Sequence, residues 1–149
     1  MTNLQTIQAL YAGFATGDMP AILANMADDI QWTEAEGYPY AGTYQGPQAI
    51  VDGVFIKLAT EWDGYQAMPE RYVSEGDDVV ALGHYSGTYK AAGKSFRAPF
   101  CACLEGAGRQ DRALRAVHGH GARAARAAAG VSAAAPRAQN CQRKSSATW

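Results

Sequence analysis

The last 49 residues of this 149-residue chain hold a single aromatic, Trp149, and the first hundred hold no cysteine. The first hundred are also poor in cations. Five Lys/Arg face twelve Asp/Glu there, a balance of −7, whereas residues 101–149 carry eight against two, a balance of +6. The formal net charge of −1 therefore hides two unlike parts. Fifteen of the last 49 residues are alanine, and the other fourteen aromatics lie before residue 101. Two stretches this different do not answer to one folding problem. No apolar run approaches the roughly 18 to 20 residues of a membrane span, so the membrane is not an expected partner. Met1-Thr2-Asn3-Leu4-Gln5 offers neither a positive segment nor a following apolar one, which reads as a cytoplasmic chain. The cationic tail lacks aromatic interleaving and any recognised motif, so nucleic acid is not an expected partner either.

What is present before residue 101 is a regular pattern for one domain. Leu4, Ile7, Tyr11 and Phe14 recur at three- and four-residue steps, one face of a helix. Gly17 ends it, and Asp18 caps a second short helix presenting Ile22, Leu23 and Met26. Asp28-Asp29 breaks that helix, and Ile30–Glu34 reads as a strand. Residues 36–46 read as a loop with unusually many tyrosines, Tyr38, Tyr40 and Tyr44. Tyr38 and Tyr40 are the candidate rim of a pocket. Gly46-Pro47 opens a third helix with Ile50, Val51, Val54, Phe55 and Leu58 on its apolar face. Residues 65–74, 79–89 and 95–103 read as an antiparallel meander, turning at Glu75–Asp78 and at Ala92-Gly93-Lys94. Within it, counting in twos groups His84 with Val80 and Leu82 on an inward face, as a core histidine or as a general base. Three helices followed by a meander is an α+β layout.

Beyond Cys103 the alternation stops. Residues 105–129 favour helix by propensity alone, and the division predicted is a domain over 1–103 and an Ala/Arg-rich tail over 104–149, helical or disordered. Shifted by one base, the codons from Cys101 to Val117 permit an apolar strand, an Asp-Gly hairpin turn and a second alternating strand. These are the elements the meander lacks, so the tail reads as the product of a frameshift. On that reading Cys101, Cys103, His118 and His120 are accidental. Cys-Ala-Cys lacks the usual two-residue metal spacing and His-Gly-His alone is weak, so no metal is expected.

Several stretches carry a resemblance. They are Tyr11-Ala12-Gly13-Phe14-Ala15-Thr16-Gly17-Asp18, Ala27-Asp28-Asp29-Ile30-Gln31-Trp32, Tyr44-Gln45-Gly46-Pro47-Gln48-Ala49-Ile50 and Gly93-Lys94. In this order and spacing, residues 1 to about 103 resemble the nuclear-transport-factor-two-like superfamily, in its SnoaL-like and ketosteroid-isomerase-like branch. The resemblance implies a cone-shaped, curved antiparallel sheet wrapped round N-terminal helices, a cystatin-like barrel with an apolar pocket and its last strands missing or replaced by the tail. It implies a small apolar, polyketide-like or steroid-like ligand, no cofactor, and pairing of two copies through sheet faces. By position Glu34 matches the base of the steroid isomerases and Tyr11 their oxyanion-hole tyrosine. Their second donor matches Cys101, after Ala98-Pro99-Phe100, so the third group is missing. Phe14, Trp32, Phe55, Trp62 and Phe100 are expected around the pocket with Tyr38, Tyr40 and His84. A carboxylate in an apolar pocket has its charged form disfavoured, and its pKa rises toward a value useful for moving protons. A tyrosine across from it can steady an enolate. The competing expectation is a non-catalytic ligand-binding or dimerisation module on the same fold.

Overall fold

The computed structural model describes residues 2–106 and the backbone of a strand at 114–120. Helix α1 (Asn3–Thr16) opens on a reciprocal cap: the Thr2 hydroxyl accepts from the Gln5 amide, and the Gln5 side chain accepts from the Thr2 amide at 2.8 Å. It closes on Gly17, whose φ of 69° is the left-handed conformation that glycine adopts without strain. Asp18 accepts from the Ala21 amide to cap α2 (Met19–Leu23). Strand β1 follows directly (Met26–Glu34), four residues longer at its start than the pattern predicts. The helix stops at Leu23, before the expected break at Asp28-Asp29, so Met26, Asp28 and Asp29 all lie within the strand.

The expected loop contains a short strand, β2 (Gly42–Gln45), paired antiparallel to β1. A continuous helical segment then runs through α3 (Pro47–Ile50), one π turn (Val51–Phe55) and α4 (Ile56–Glu61). The π turn directs Val54 and Phe55 to the interior. Three long strands complete the meander: β3 (Trp62–Glu75), β4 (Asp78–Tyr89) and β5 (Lys94–Gly106). The order across the six-stranded sheet is β2-β1-β6-β5-β4-β3, where β6 is Leu114–His120.

Strand β6 departs from the expectation of helix after residue 104. It lies antiparallel to β5 and parallel to β1, and so joins the meander to the N-terminal strand pair. Alanine and arginine favour helix in isolation, but a strand between two open edges satisfies backbone groups that both edges leave unpaired. Local propensity is the weaker effect there. The remaining tail lies outside the described residues.

The sheet curls round α1. Ile7 and Leu10 from the helix meet Ile30, Ile50, Val79 and Leu104 with almost no exposure. Each such side chain contributes about 1.5–3 kcal/mol by leaving water. Along β4 the inward residues are Val79, Ala81 and Gly83, with Tyr85 next in the same phase. Val80, Leu82 and His84 face outward, the reverse of the expected assignment. His84 sits on that outer face, where Nδ1 lies 2.7 Å from Glu70 Oε1. The inward face of β4 is hard to see in the sequence because Ala81 and Gly83 are small, and at Gly83 the backbone of β3 leaves no room for a side chain. A second aromatic cluster is centred on Tyr38, Tyr40 and Trp62, with Tyr65, Tyr89 and Phe96 packed against it.

Candidate active site

The space between α1, the π turn and the concave face of the sheet is a cavity of about 360 Å³. That is the small end of the range of roughly 300–1,000 Å³ seen for small-molecule sites. Glu34, the last residue of β1, stands in its wall. Trp32 is two residues earlier on the strand, hence on the same face. Its indole N–H donates to Glu34 Oε1 at 2.8 Å. The indole is itself wedged edge-on against Phe14 and Phe55. One carboxylate oxygen is thus held by a ring that is itself packed between two others.

Burial pushes the Glu34 carboxyl up to about 7, and the Trp32 hydrogen bond, which favours the charged form, pulls against it. A Trp32→Phe variant removes that opposing bond. A hydrogen bond to a charged acceptor is worth roughly 1.5–3 kcal/mol, so the Glu34 midpoint should climb by about one to two pH units. A ¹³C-carboxyl NMR titration reads this directly. A midpoint that stays put would mean that the indole does not hold the charged form.

Tyrosines surround the carboxylate. Tyr11, Tyr38, Tyr65 and Tyr85 all line the cavity. Burial raises each phenol above its ordinary range, and the nearby Glu34 charge raises each further. They therefore stay protonated and act as hydrogen-bond donors. The Tyr38 and Tyr65 hydroxyls bond to each other at 2.9 Å. Those of Tyr11 and Tyr85 have no hydrogen-bond partner among the described residues. The cavity thus offers one carboxylate near its midpoint, neutral phenol donors and otherwise apolar walls. Among the described residues no cluster of three or more His, Cys, Asp or Glu is placed to hold a metal ion.

The family model of the SnoaL-like domain matches residues 7–115, most of the chain. This protein belongs to the SnoaL-like domain family. A solved structure with the same fold is an NTF2-like protein from Burkholderia thailandensis E264. It is 32% identical, with a TM-score of 0.81, and the match covers 87% of this chain and 98% of that one. TerC, co-crystallised with polyporic acid, is 26% identical with a TM-score of 0.69, over 79% of this chain and 89% of that one. A candidate SnoaL-like polyketide cyclase from Shewanella denitrificans OS-217 is 15% identical with a TM-score of 0.65, over 80% and 89%, and shows the fold alone. No curated protein matches the chain.

Within this SnoaL-like domain the cavity brings together Tyr11, Glu34, Phe14 and Trp32 with Tyr38, Phe55 and Trp62. Three residues expected in its wall stand elsewhere. Tyr40 is buried in the second cluster, where its hydroxyl donates to Glu61 Oε2 at 2.6 Å and accepts from the Trp62 indole. Phe100 is buried behind the wall, its ring stacked on both Tyr11 and Tyr85. His84 faces away on the outer side of the sheet, because the alternation of β4 runs in the opposite phase. Cys101 alternates with the inward Phe100 and Ala102, and pairs with the outward Leu82. Tyr65 and Tyr85 join the wall without having been expected there. The signal for Tyr85 is its even spacing from Val79 and Ala81, readable once the small residues are allowed to face inward.

Proposed function

We propose that this SnoaL-like domain binds a small, largely apolar, oxygenated molecule of the polyketide-like or steroid-like kind. On this reading it moves a proton on that molecule without a cofactor, as an isomerase or cyclase does. The observation that carries the reading is Glu34: a carboxylate set in an apolar cavity, oriented by Trp32 and faced by neutral phenols. Glu34 in its ionised form takes the proton from a carbon beside a carbonyl. The C–H electron pair moves into the ring or chain, the carbonyl oxygen takes the charge, and Tyr11 donates a hydrogen bond to it. Return of the proton to another carbon gives isomerisation, and attack of the enolate carbon on a second carbonyl gives cyclisation. The similarity to TerC, co-crystallised with polyporic acid, supports the ligand class. The test is exchange of α-protons into D₂O, followed by NMR, on cyclic enone and β-diketone probes. Exchange by the wild type that disappears in Glu34→Gln is the expected result. Exchange equal in both proteins would remove the catalytic role.

One observation favours a second reading, a ligand-binding or dimerisation module. Met68 and Val73 on β3 are 58% and 44% exposed. They pair with His84 and Val80, which places both on the outer face of the sheet beside Leu82. This fits association of two copies through that face, in a compartment expected to be cytoplasmic. Sedimentation velocity should then show a dimer that Met68→Lys shifts toward monomer. A monomeric wild type at high micromolar concentration would exclude it.

A further inference from the structure

The position that the resemblance gives to a second oxyanion donor is Cys101, and the strand turns it to the outer face. A single donor would leave a developing oxyanion only half held. The neighbouring strand supplies another hydroxyl. Tyr85 pairs with Ala98 on the inward face of β4 and lines the cavity. Its ring stacks on Phe100 with centroids 4.3 Å apart and planes 13° from parallel. Phe100 in turn stacks on Tyr11, at 6.0 Å and 23°. The buried Phe100 ring is therefore a spacer that fixes both tyrosines at once. Both tyrosines line the same cavity, and neither hydroxyl has a hydrogen-bond partner among the described residues. A phenol withdrawn from water without a partner costs free energy that a ligand oxygen would recover. The other two phenols on the cavity, Tyr38 and Tyr65, already satisfy one another.

We propose that Tyr85 is a second hydrogen-bond donor of the site, gripping with Tyr11 the oxygen of a flat, conjugated carbonyl or phenol ligand. The inference rests on reading the cavity as the ligand site and names the ligand class more narrowly. Flatness follows from the lining: Tyr11, Phe14, Trp32, Phe55, Tyr65 and Tyr85 all border the cavity, and aromatic side chains favour a planar aromatic or conjugated guest. The acidic hydrogen of that guest then lies toward Glu34, within the same enclosed space.

Binding of 4-nitrophenol tests this without any turnover, because its absorbance distinguishes phenol from phenolate and reports occupancy. The matched control is 4-nitrotoluene, which has the same shape and no hydroxyl. Wild type should bind 4-nitrophenol at least tenfold more tightly than 4-nitrotoluene. Tyr85→Phe should lose about tenfold for 4-nitrophenol, the usual effect of one lost hydrogen bond. It should keep wild-type affinity for 4-nitrotoluene, which shows that the cavity is intact. Tyr11→Phe should behave alike. Unchanged 4-nitrophenol affinity in Tyr85→Phe overturns the proposal, and so does a wild type with no preference between the two probes. Neither result touches the proton-transfer reading, which stands or falls on the Glu34-dependent exchange of α-protons.

Discussion

Glu34→Gln is expected to abolish proton transfer and, at the same time, to make the protein more stable at pH 8. The catalytic half follows from chemistry. A carboxamide has the shape of the carboxyl and still accepts from the Trp32 indole, but it cannot hold a proton. Positioned general bases contribute roughly 10²–10⁴-fold to rate, so kcat should fall by that range while KM moves little. In the wild type, kcat/KM should rise with pH and level off above about 7, where Glu34 becomes ionised. A variant that keeps the wild-type rate and pH profile would show that the base lies elsewhere.

The stability half depends on the sign of the shift. Glu34 titrates near its ordinary 4.5 when unfolded and near 7 when folded, because burial disfavours the carboxylate. Between those values the folded chain binds the proton more tightly than the unfolded one. Stability therefore falls as pH rises from about 4.5 to about 7, and the loss is complete above that. The shift corresponds to at most about 3 kcal/mol at 1.36 kcal/mol per unit. The part of Glu34 that faces the open cavity lowers it. Glu34→Gln carries no charge at any of these pH values. Its melting temperature should match the wild type near pH 4.5 and exceed it by several degrees at pH 8. Identical pH dependence in the two proteins would mean that Glu34 is well solvated. The coupling of the two halves is the informative part, since a site that works by burying a charge is paid for in stability.

What can be read from residues alone follows from which signals are local. The spacing of Leu4, Ile7, Tyr11 and Phe14, the Gly17 stop and the Asp18 cap mark α1 and the start of α2 by residue chemistry alone, although α2 ends at Leu23 instead of reaching Met26. The carboxylate at the end of β1 can also be placed, because strand ends follow turn signals. Two features are not legible in this way. Strand β6 depends on edges contributed by β1 and β5, which are distant in sequence, so Ala/Arg propensity points the wrong way. The face of β4 depends on how closely β3 approaches it. Hydrophobicity favours Val80 and Leu82 as the buried pair, yet the sheet buries Val79, Ala81 and Gly83. A one-residue slip in phase exchanges every side chain between faces. Such a slip puts His84 in the cavity and Tyr85 outside it, the reverse of their true places.

Gly83 is where that phase is enforced, and Gly83→Ala is expected to be the most damaging small substitution in the meander. A Cβ built on Gly83 would overlap the Met68 carbonyl oxygen and lie 2.7 Å from the Pro69 Cα. Both are backbone atoms, so no side chain can rotate out of the way. Pro69 pairs with Gly83, and the register between β3 and β4 shifts immediately after it. Proline is tolerated there since β3 is the last strand of the sheet and no further strand needs its missing N–H. An added methyl would force the two strands apart beside the register shift. Overpacking costs typically 1–3 kcal/mol, and a rigid backbone clash belongs at the upper end. A loss of about 3 kcal/mol should lower the melting temperature by more than about 10 °C. Gly87→Ala is the control on the same strand, where the new Cβ would meet the Tyr65 Cα at 3.2 Å and a shift of a few tenths of an ångström relieves it. Gly83→Ala should therefore cost several times more than Gly87→Ala in a denaturant titration. Equal costs would mean that β3 does not press on Gly83. Close approach of β3 would then no longer account for the small inward face of β4, nor for Tyr85 facing the cavity.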